Sequence, residues 1–92
     1  MLRHRNVVIE QILSGAGETP QHYVQDHDEW VVVLAGAAVL DVDGRRRELA
    51  AGDWAFLPAT VPHVVVATAT GTSWLAVHVH AGNPPAAPDA TA

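Results

Sequence analysis

The stretch from His22 to Gly36 is His-Tyr-Val-Gln-Asp-His-Asp-Glu-Trp-Val-Val-Val-Leu-Ala-Gly. Its first half carries two imidazoles, a phenol, a carboxamide and three carboxylates. Its second half is a branched, apolar run that ends at glycine, which is typical of a buried β-strand. The stretch therefore predicts a strand with a polar cluster at its N-terminal end.

The first half of this stretch allows two local structures. Thr19 as an N-cap, with Pro20 at the first helical position, would begin a short helix. The β-like run that follows leaves little room for a helix and favours a strand. In a strand, the odd positions share one side, because side chains alternate between the two faces; they are Tyr23, Gln25, His27 and Glu29.

The strand interpretation makes two further predictions about the cluster. A tight turn around residues 26–28 would place Tyr23 and Gln25 opposite Glu29 on adjacent strands. The same turn would point His27 to solvent.

The rest of the chain predicts short strands separated by turns. The pair Asp43-Gly44 between the predicted strands 37–42 and 45–49 is a two-residue hairpin signal. About seven or eight short strands with regular turns are typical of a sandwich or barrel. The expected fold is all-β, a small antiparallel jelly-roll β-barrel in a single domain, residues 1–81. Residues 82–92 are rich in Pro and Ala, and we expect a disordered tail. The predicted strands outside the opening stretch are 6–13, 37–42, 45–49, 54–57, 63–67 and 73–80.

Composition excludes several classes of function. The 92 residues carry a net charge of −5, with five arginines and no lysine. Nucleic acid is therefore not an expected partner, because its binding needs a basic face. Without lysine there is no side-chain Schiff base, and without cysteine there is no disulfide or thiolate site.

The sequence also leads to expectations about cellular location and assembly. The N-terminus lacks the apolar core of a signal peptide, and no stretch is long enough to span a bilayer. We therefore expect a cytoplasmic protein with no membrane partner. A domain this small often gains stability by association, so a homodimer is expected.

Two motifs resemble those of the cupin superfamily. Glu29, six residues and then Gly36 resemble the end of the first cupin motif. Gly52, five residues, Pro58 and then His63 resemble the second. The resemblance implies a small jelly-roll barrel with its site inside.

The motifs also depart from the family pattern. Where cupins usually have a His-x-His pair, this chain has Tyr23-x-Gln25. Thr60 stands in place of the usual glycine after the motif-two proline, and Ala67 in place of the usual asparagine. The resemblance nevertheless covers residues 6–80.

The resemblance implies a metal site. It places Glu29 and His63 at metal-ligand positions, and Gln25 could add a carboxamide oxygen. Such a nitrogen and oxygen set suits a divalent transition metal, Fe, Mn, Zn, Ni or Co. Tyr23 or His78 would act as the catalytic group that moves a proton.

The last predicted strand offers a further ligand. Its even positions Trp74, Ala76 and His78 would face a cavity, and its odd positions would pack against a second sheet or a partner subunit. His78, or alternatively His27, could supply a missing imidazole.

Three classes of function remain open. One is a metal-dependent enzyme that isomerises, decarboxylates, cyclises or oxygenates a polar small molecule. Another is a non-catalytic module that binds a small-molecule ligand. The third is a structural dimerisation partner.

Overall fold

The computed structural model describes residues 1–15 and 21–81, and every regular element in those ranges is a β-strand. The possible helix start at Thr19 and Pro20 and the expected tail 82–92 lie outside the described residues. No helix in the described ranges is long and apolar enough to cross a membrane. The strands are β1 (Leu2–His4), β2 (Val7–Ser14), β3 (Gln21–Tyr23), β4 (Asp28–Ala35), β5 (Ala37–Val42), β6 (Arg45–Ala50), β7 (Trp54–Leu57), β8 (His63–Thr68) and β9 (Thr72–Val79).

The strands form two antiparallel sheets. The five-stranded sheet has the order β1-β2-β9-β4-β7, and the four-stranded sheet has the order β3-β8-β5-β6. Neighbouring strands in each sheet are often far apart in sequence, as in a jelly roll. The predicted all-β jelly-roll fold is confirmed.

The core lies between the sheets because β4, β5, β7 and β9 bury alternate side chains. On β4 the buried positions are Glu29, Val31 and Val33, and on β9 they include Trp74 and Ala76. Each fully buried Val or Leu contributes about 1.5–3 kcal/mol relative to exposure. The core cluster consists of Val31, Val33, Ala38, Leu40, Leu49, Ala55, Leu57, Trp74 and Ala76.

The predicted hairpin at Asp43-Gly44 joins β5 to β6. Both residues have positive φ, 52° and 81°, as a type I′ turn requires. A second hairpin, which the sequence analysis did not identify, joins β1 to β2 through Arg5 at φ 54°.

The segment that precedes β4 differs from the prediction. Residues 21–23 form a strand, as favoured, but residues 24–27 are irregular and carry the chain from one sheet to the other. The prediction that Tyr23 and Gln25 lie opposite Glu29 on adjacent strands is therefore wrong. β3 pairs instead with β8, so Tyr23 lies opposite His63.

Candidate functional site

A cavity of about 330 Å³ lies between the two sheets. Strands of both sheets line it, and its apolar wall includes Leu40, Leu57 and Trp74. The five predicted site residues all line this one cavity. They are Tyr23, Gln25, Glu29, His63 and His78.

Glu29 is the buried carboxylate of the cavity. Alternation along β4 turns it inward beside Val31, and the residue is only 8 % exposed. A buried carboxylate is costly unless it is hydrogen-bonded. Gln25 supplies such a bond, since its side-chain Nε2 donates to Glu29 Oε1 at 2.6 Å. Gln25 lies within the irregular segment 24–27 and thus reaches Glu29 near the start of β4, although β3 and β4 belong to different sheets.

His63 is the buried imidazole of the cavity. It is 5 % exposed, and its Nδ1 has no hydrogen-bond partner among the described residues. The ring of Tyr23 stacks on it, with centroids 5.4 Å apart and an interplanar angle of 18°. The Tyr23 hydroxyl donates to Gln21 Oε1 at 2.7 Å. An unpartnered buried nitrogen is uncommon in folded proteins, which sets His63 apart from the other side chains of the cavity wall.

His78 joins the cavity to a network of polar side chains. Its Nε2 lies 3.0 Å from Glu10 Oε1 and 3.9 Å from Glu29 Oε2. Its Nδ1 lies 2.9 Å from His27 Nε2. Both nitrogens of the His78 imidazole are therefore engaged.

His27 does not point to solvent, so that prediction is wrong. Its side chain is only 14 % exposed, because the irregular segment folds it over β9. There its ring lies beside His78 and 4.2 Å, centroid to centroid, from His80. Its Nδ1 lies 3.3 Å from the exposed Asp26 carboxylate.

Glu10 also lines the cavity, although it is not among the residues predicted from the sequence. It lies on β2, paired with Ala76 of β9, and its carboxylate reaches His78 across the sheet. One feature of the sequence could have identified it. Glu10 shares its side of the strand with Val8 and Ile12, so a lone charge interrupts an apolar face.

The β7–β8 loop holds the irregular segment in place. The backbone N–H of Thr60 donates to the Gln25 carbonyl at 2.7 Å, and that of Ala59 donates to Asp28 Oδ1 at 2.8 Å. Thr60 has a φ of 67°, which explains why cupins usually have glycine at this motif position. The loop thereby fixes the backbone from which Gln25 reaches Glu29.

Most of the side chains that could ligate a metal in the cavity are hydrogen-bonded to one another. Within residues 1–15 and 21–81, no group of three or more His, Cys, Asp or Glu side chains is arranged to hold a metal ion. Completing a set from Glu29 and His63 would require the amide oxygen of Gln25 or an imidazole such as His78. The amide nitrogen of Gln25 faces Glu29, and both nitrogens of His78 have protein partners. In this arrangement the residues do not fit a metal centre.

Comparisons with known proteins agree with the fold. A crystal structure of a candidate mannose-6-phosphate isomerase from Ralstonia eutropha JMP134 is 36% identical with a TM-score of 0.80, and the match covers 88% of this chain and 81% of that one. An RmlC-like cupin from Shewanella frigidimarina NCIMB 400 is 24% identical with a TM-score of 0.77, covering 86% and 70%. KdgF from Halomonas sp. is 18% identical with a TM-score of 0.79, covering 87% and 74%. The last two similarities show the fold alone.

Sequence comparisons identify the family of the chain but give no function. An uncharacterized protein from Aquifex aeolicus (strain VF5) is 40% identical over 42 residues, or 46% of this chain. The match spans only 35% of that protein's length. The family described as "Cupin domain", by contrast, matches residues 8–82, which include β3 to β9, most of β2 and the residues that line the cavity. The chain belongs to the cupin superfamily.

Proposed function

We propose that the protein is a small-molecule-binding cupin whose ligand lies in the cavity between the sheets. One observation carries this proposal: the buried imidazole of His63 and the buried carboxylate of Glu29 line the same cavity. Leaving a buried polar group without a hydrogen bond costs about 1–3 kcal/mol. A polar molecule bound in the cavity would supply hydrogen-bond partners to these two side chains. The volume is at the small end of ligand sites, which span about 300–1,000 Å³.

The hydrogen bonds of the candidate proton carriers favour binding over catalysis. The Tyr23 hydroxyl donates to Gln21, and both nitrogens of His78 have protein partners. A general acid or base must lie within hydrogen-bond reach of the proton that it moves in the bound molecule. These side chains instead shape and orient the cavity wall. Their predicted catalytic roles stay predictions.

A metal-dependent enzyme is the second candidate. Cupins commonly bind divalent metals, and the relative from Ralstonia eutropha is named as a candidate isomerase. In this function Gln25, Glu29 and His63 would hold the metal, Fe, Mn, Zn, Ni or Co. As a Lewis acid it would polarise a carbonyl oxygen of the substrate. Because Gln25 donates to Glu29 in the present arrangement, the proposed function includes no metal-dependent step.

A thermal-shift screen separates the two candidates. Protein purified without chelator is screened against polar small molecules, and its content of transition metals is measured. We expect compounds that raise the melting temperature of the wild type but not of Glu29→Gln or His63→Asn. His22→Asn is the matched control, since His22 is exposed on β3 one residue from Tyr23.

Two outcomes would contradict the binding function. One is a screen in which no compound stabilises the wild type. The other is a stoichiometric metal that is lost in both Glu29→Gln and His63→Asn, which would establish the metal-dependent alternative. A metal content that is low and equal in all variants agrees with binding.

We also propose that two copies associate through the outer face of the five-stranded sheet. On this face Trp54 and Phe56 are 55% and 48% exposed, and Leu34 is 48% exposed. Trp30 lies beside Trp54, with ring centroids 6.2 Å apart. Exposed apolar patches of this kind mark interaction sites. These neighbouring aromatic and aliphatic side chains carry no charge, so the face is complementary to a second copy of itself, as a twofold interface requires.

A further inference from the structure

The cavity wall carries negative charge without a permanent positive charge. Glu10 and Glu29 contribute two carboxylates, and His63 and His78 contribute the imidazoles. No arginine lies on the wall, and the chain contains no lysine. This distribution of charged side chains limits which molecules the proposed binding site can bind.

All five arginines lie elsewhere on the fold. Arg3 is on β1 and Arg5 is in the turn that follows it, and the others form the run 45–47 on β6. All of them are exposed. Arg46 pairs with Glu48 at 3.2 Å, and Arg47 donates to the backbone carbonyl of Trp54 at 3.3 Å. No arginine is therefore directed at the cavity.

The other usual sources of anion binding are missing as well. A helix N-terminus can hold a phosphate, but the described residues contain no helix. Any positive charge on His78 would be paired already, because its Nε2 lies 3.0 Å from Glu10 and 3.9 Å from Glu29. A phosphate or carboxylate group inside the cavity would thus face two carboxylates with only His63 as a potential cation.

The same wall is well suited to hydroxyl groups. The second oxygen of Glu29 and the carboxylate of Glu10 can accept hydrogen bonds, and His63 Nδ1 has no protein partner. On the same sheet as Glu10 and Glu29, Leu57 and Trp74 provide an apolar surface for carbon-bound hydrogens. Ligand sites commonly combine an apolar wall with a few polar groups that fix orientation.

On this basis, and given the proposed binding function, we infer that the cavity selects an uncharged, polyhydroxylated molecule such as a free sugar or polyol. Phosphorylated and carboxylated analogues are rejected. Juxtaposed like charges weaken binding strongly, so an anionic analogue binds at least about tenfold more weakly than its neutral parent.

Matched pairs of compounds test this inference. Saturation-transfer NMR and isothermal titration calorimetry are run on the wild-type protein at one ionic strength, because salt screens charge repulsion. The panel contains glucose, mannose and a series of pentoses and polyols, each with its phosphate ester or sugar acid. We expect every compound that binds to be neutral and its anionic partner to bind at least about tenfold more weakly.

Charge-removing variants provide a second measurement. In Glu10→Gln and Glu29→Gln, the difference in affinity between a neutral sugar and its phosphate ester should narrow. Glu10→Gln is the safer of the two for folding, since the Glu10 side chain is 36% exposed. Glu48→Gln removes a carboxylate on β6 outside the cavity and should leave the difference unchanged.

The outcomes separate this inference from the proposed function. An anionic compound that binds in the cavity as tightly as its neutral parent would overturn the selectivity but leave the binding function intact. Saturable binding of organic amines without binding of any neutral sugar would also overturn it. If no compound of any charge binds, both the inference and the binding function fail.

Discussion

Replacing Gly36 with alanine should destabilise the fold far more than the same change at Gly44. Both glycines have positive φ, 86° and 81°, so alanine pays a similar conformational cost of about 1–2 kcal/mol at each. Their surroundings differ. A Cβ on Gly44 would meet nothing within 4 Å, whereas one on Gly36 would lie 2.5 Å from Thr72 Oγ1 and 2.7 Å from Thr72 Cα.

Thr72 cannot move aside easily. It is completely buried, and its hydroxyl lies 2.7 Å from the Ala69 carbonyl and 3.0 Å from the Ala37 carbonyl. Forcing extra atoms into a packed core costs about 1–3 kcal/mol. The Gly36→Ala variant should therefore lose about 2–5 kcal/mol in total, against about 1–2 kcal/mol for Gly44→Ala. For a chain of 92 residues the whole free energy of unfolding is on the order of 5–14 kcal/mol.

Equilibrium unfolding in urea measures this difference. The midpoint and slope are determined for the wild type, Gly36→Ala and Gly44→Ala at one protein concentration, and an unchanged slope assigns the midpoint shift to stability. The reduction in unfolded-state entropy that alanine brings is common to both variants and cancels in the comparison. Equal losses within about 0.5 kcal/mol would refute the close approach to Thr72 as the reason for glycine at position 36.

Three further changes follow from particular contacts. Thr60→Gly should raise the urea midpoint by the equivalent of about 0.5–1 kcal/mol, because glycine adopts the positive φ without strain at a modest entropic cost. A lower midpoint would show that the backbone of Thr60 is not strained. Burial, followed by the nearby His27 and His78 imidazoles, lowers the pKa of His80 from its usual 6.5. The unfolded chain therefore binds a proton more readily than the folded one, and the free energy of unfolding falls as the pH drops below about 6.5. His80→Asn should lose less stability than the wild type between about pH 7.5 and pH 5.5 in urea titrations, and an equal loss would show that His80 is not responsible. Trp54→Arg should shift the protein from dimer to monomer in sedimentation-velocity runs, whereas a wild type that is monomeric at micromolar concentration would refute the proposed interface.

Local patterns in the sequence determined much of this protein. Alternation of polar and apolar side chains predicted that Glu29 and His78 face inward on their strands, and the Asp43-Gly44 pair predicted a hairpin. The spacing from Glu29 to Gly36 and from Gly52 to His63 predicted the family. These features need only residues that are close in the chain, because strand periodicity and turn conformation are local properties.

Tertiary structure decided which of these side chains meet. The irregular segment 24–27 sends β3 and β4 into different sheets, so Tyr23 pairs with His63 while Gln25 still reaches Glu29. No local pattern specifies that crossing, since a strand of either sheet shows the same alternation.

The network around His78 depends on pairings still more distant in sequence. Glu10 and His27 lie 68 and 51 positions from His78, yet each bonds one of its nitrogens. The sequence by itself determined an all-β chain with a carboxylate and an imidazole at cupin positions. Which polar groups engage one another, and which nitrogen of His63 is left without a partner, was decided only when β2 and β4 paired on either side of β9 and the two sheets closed over the cavity. Antiparallel pairing brings such residues together through backbone hydrogen bonds. These bonds are the same for every sequence, so the amino acids do not reveal which strands pair.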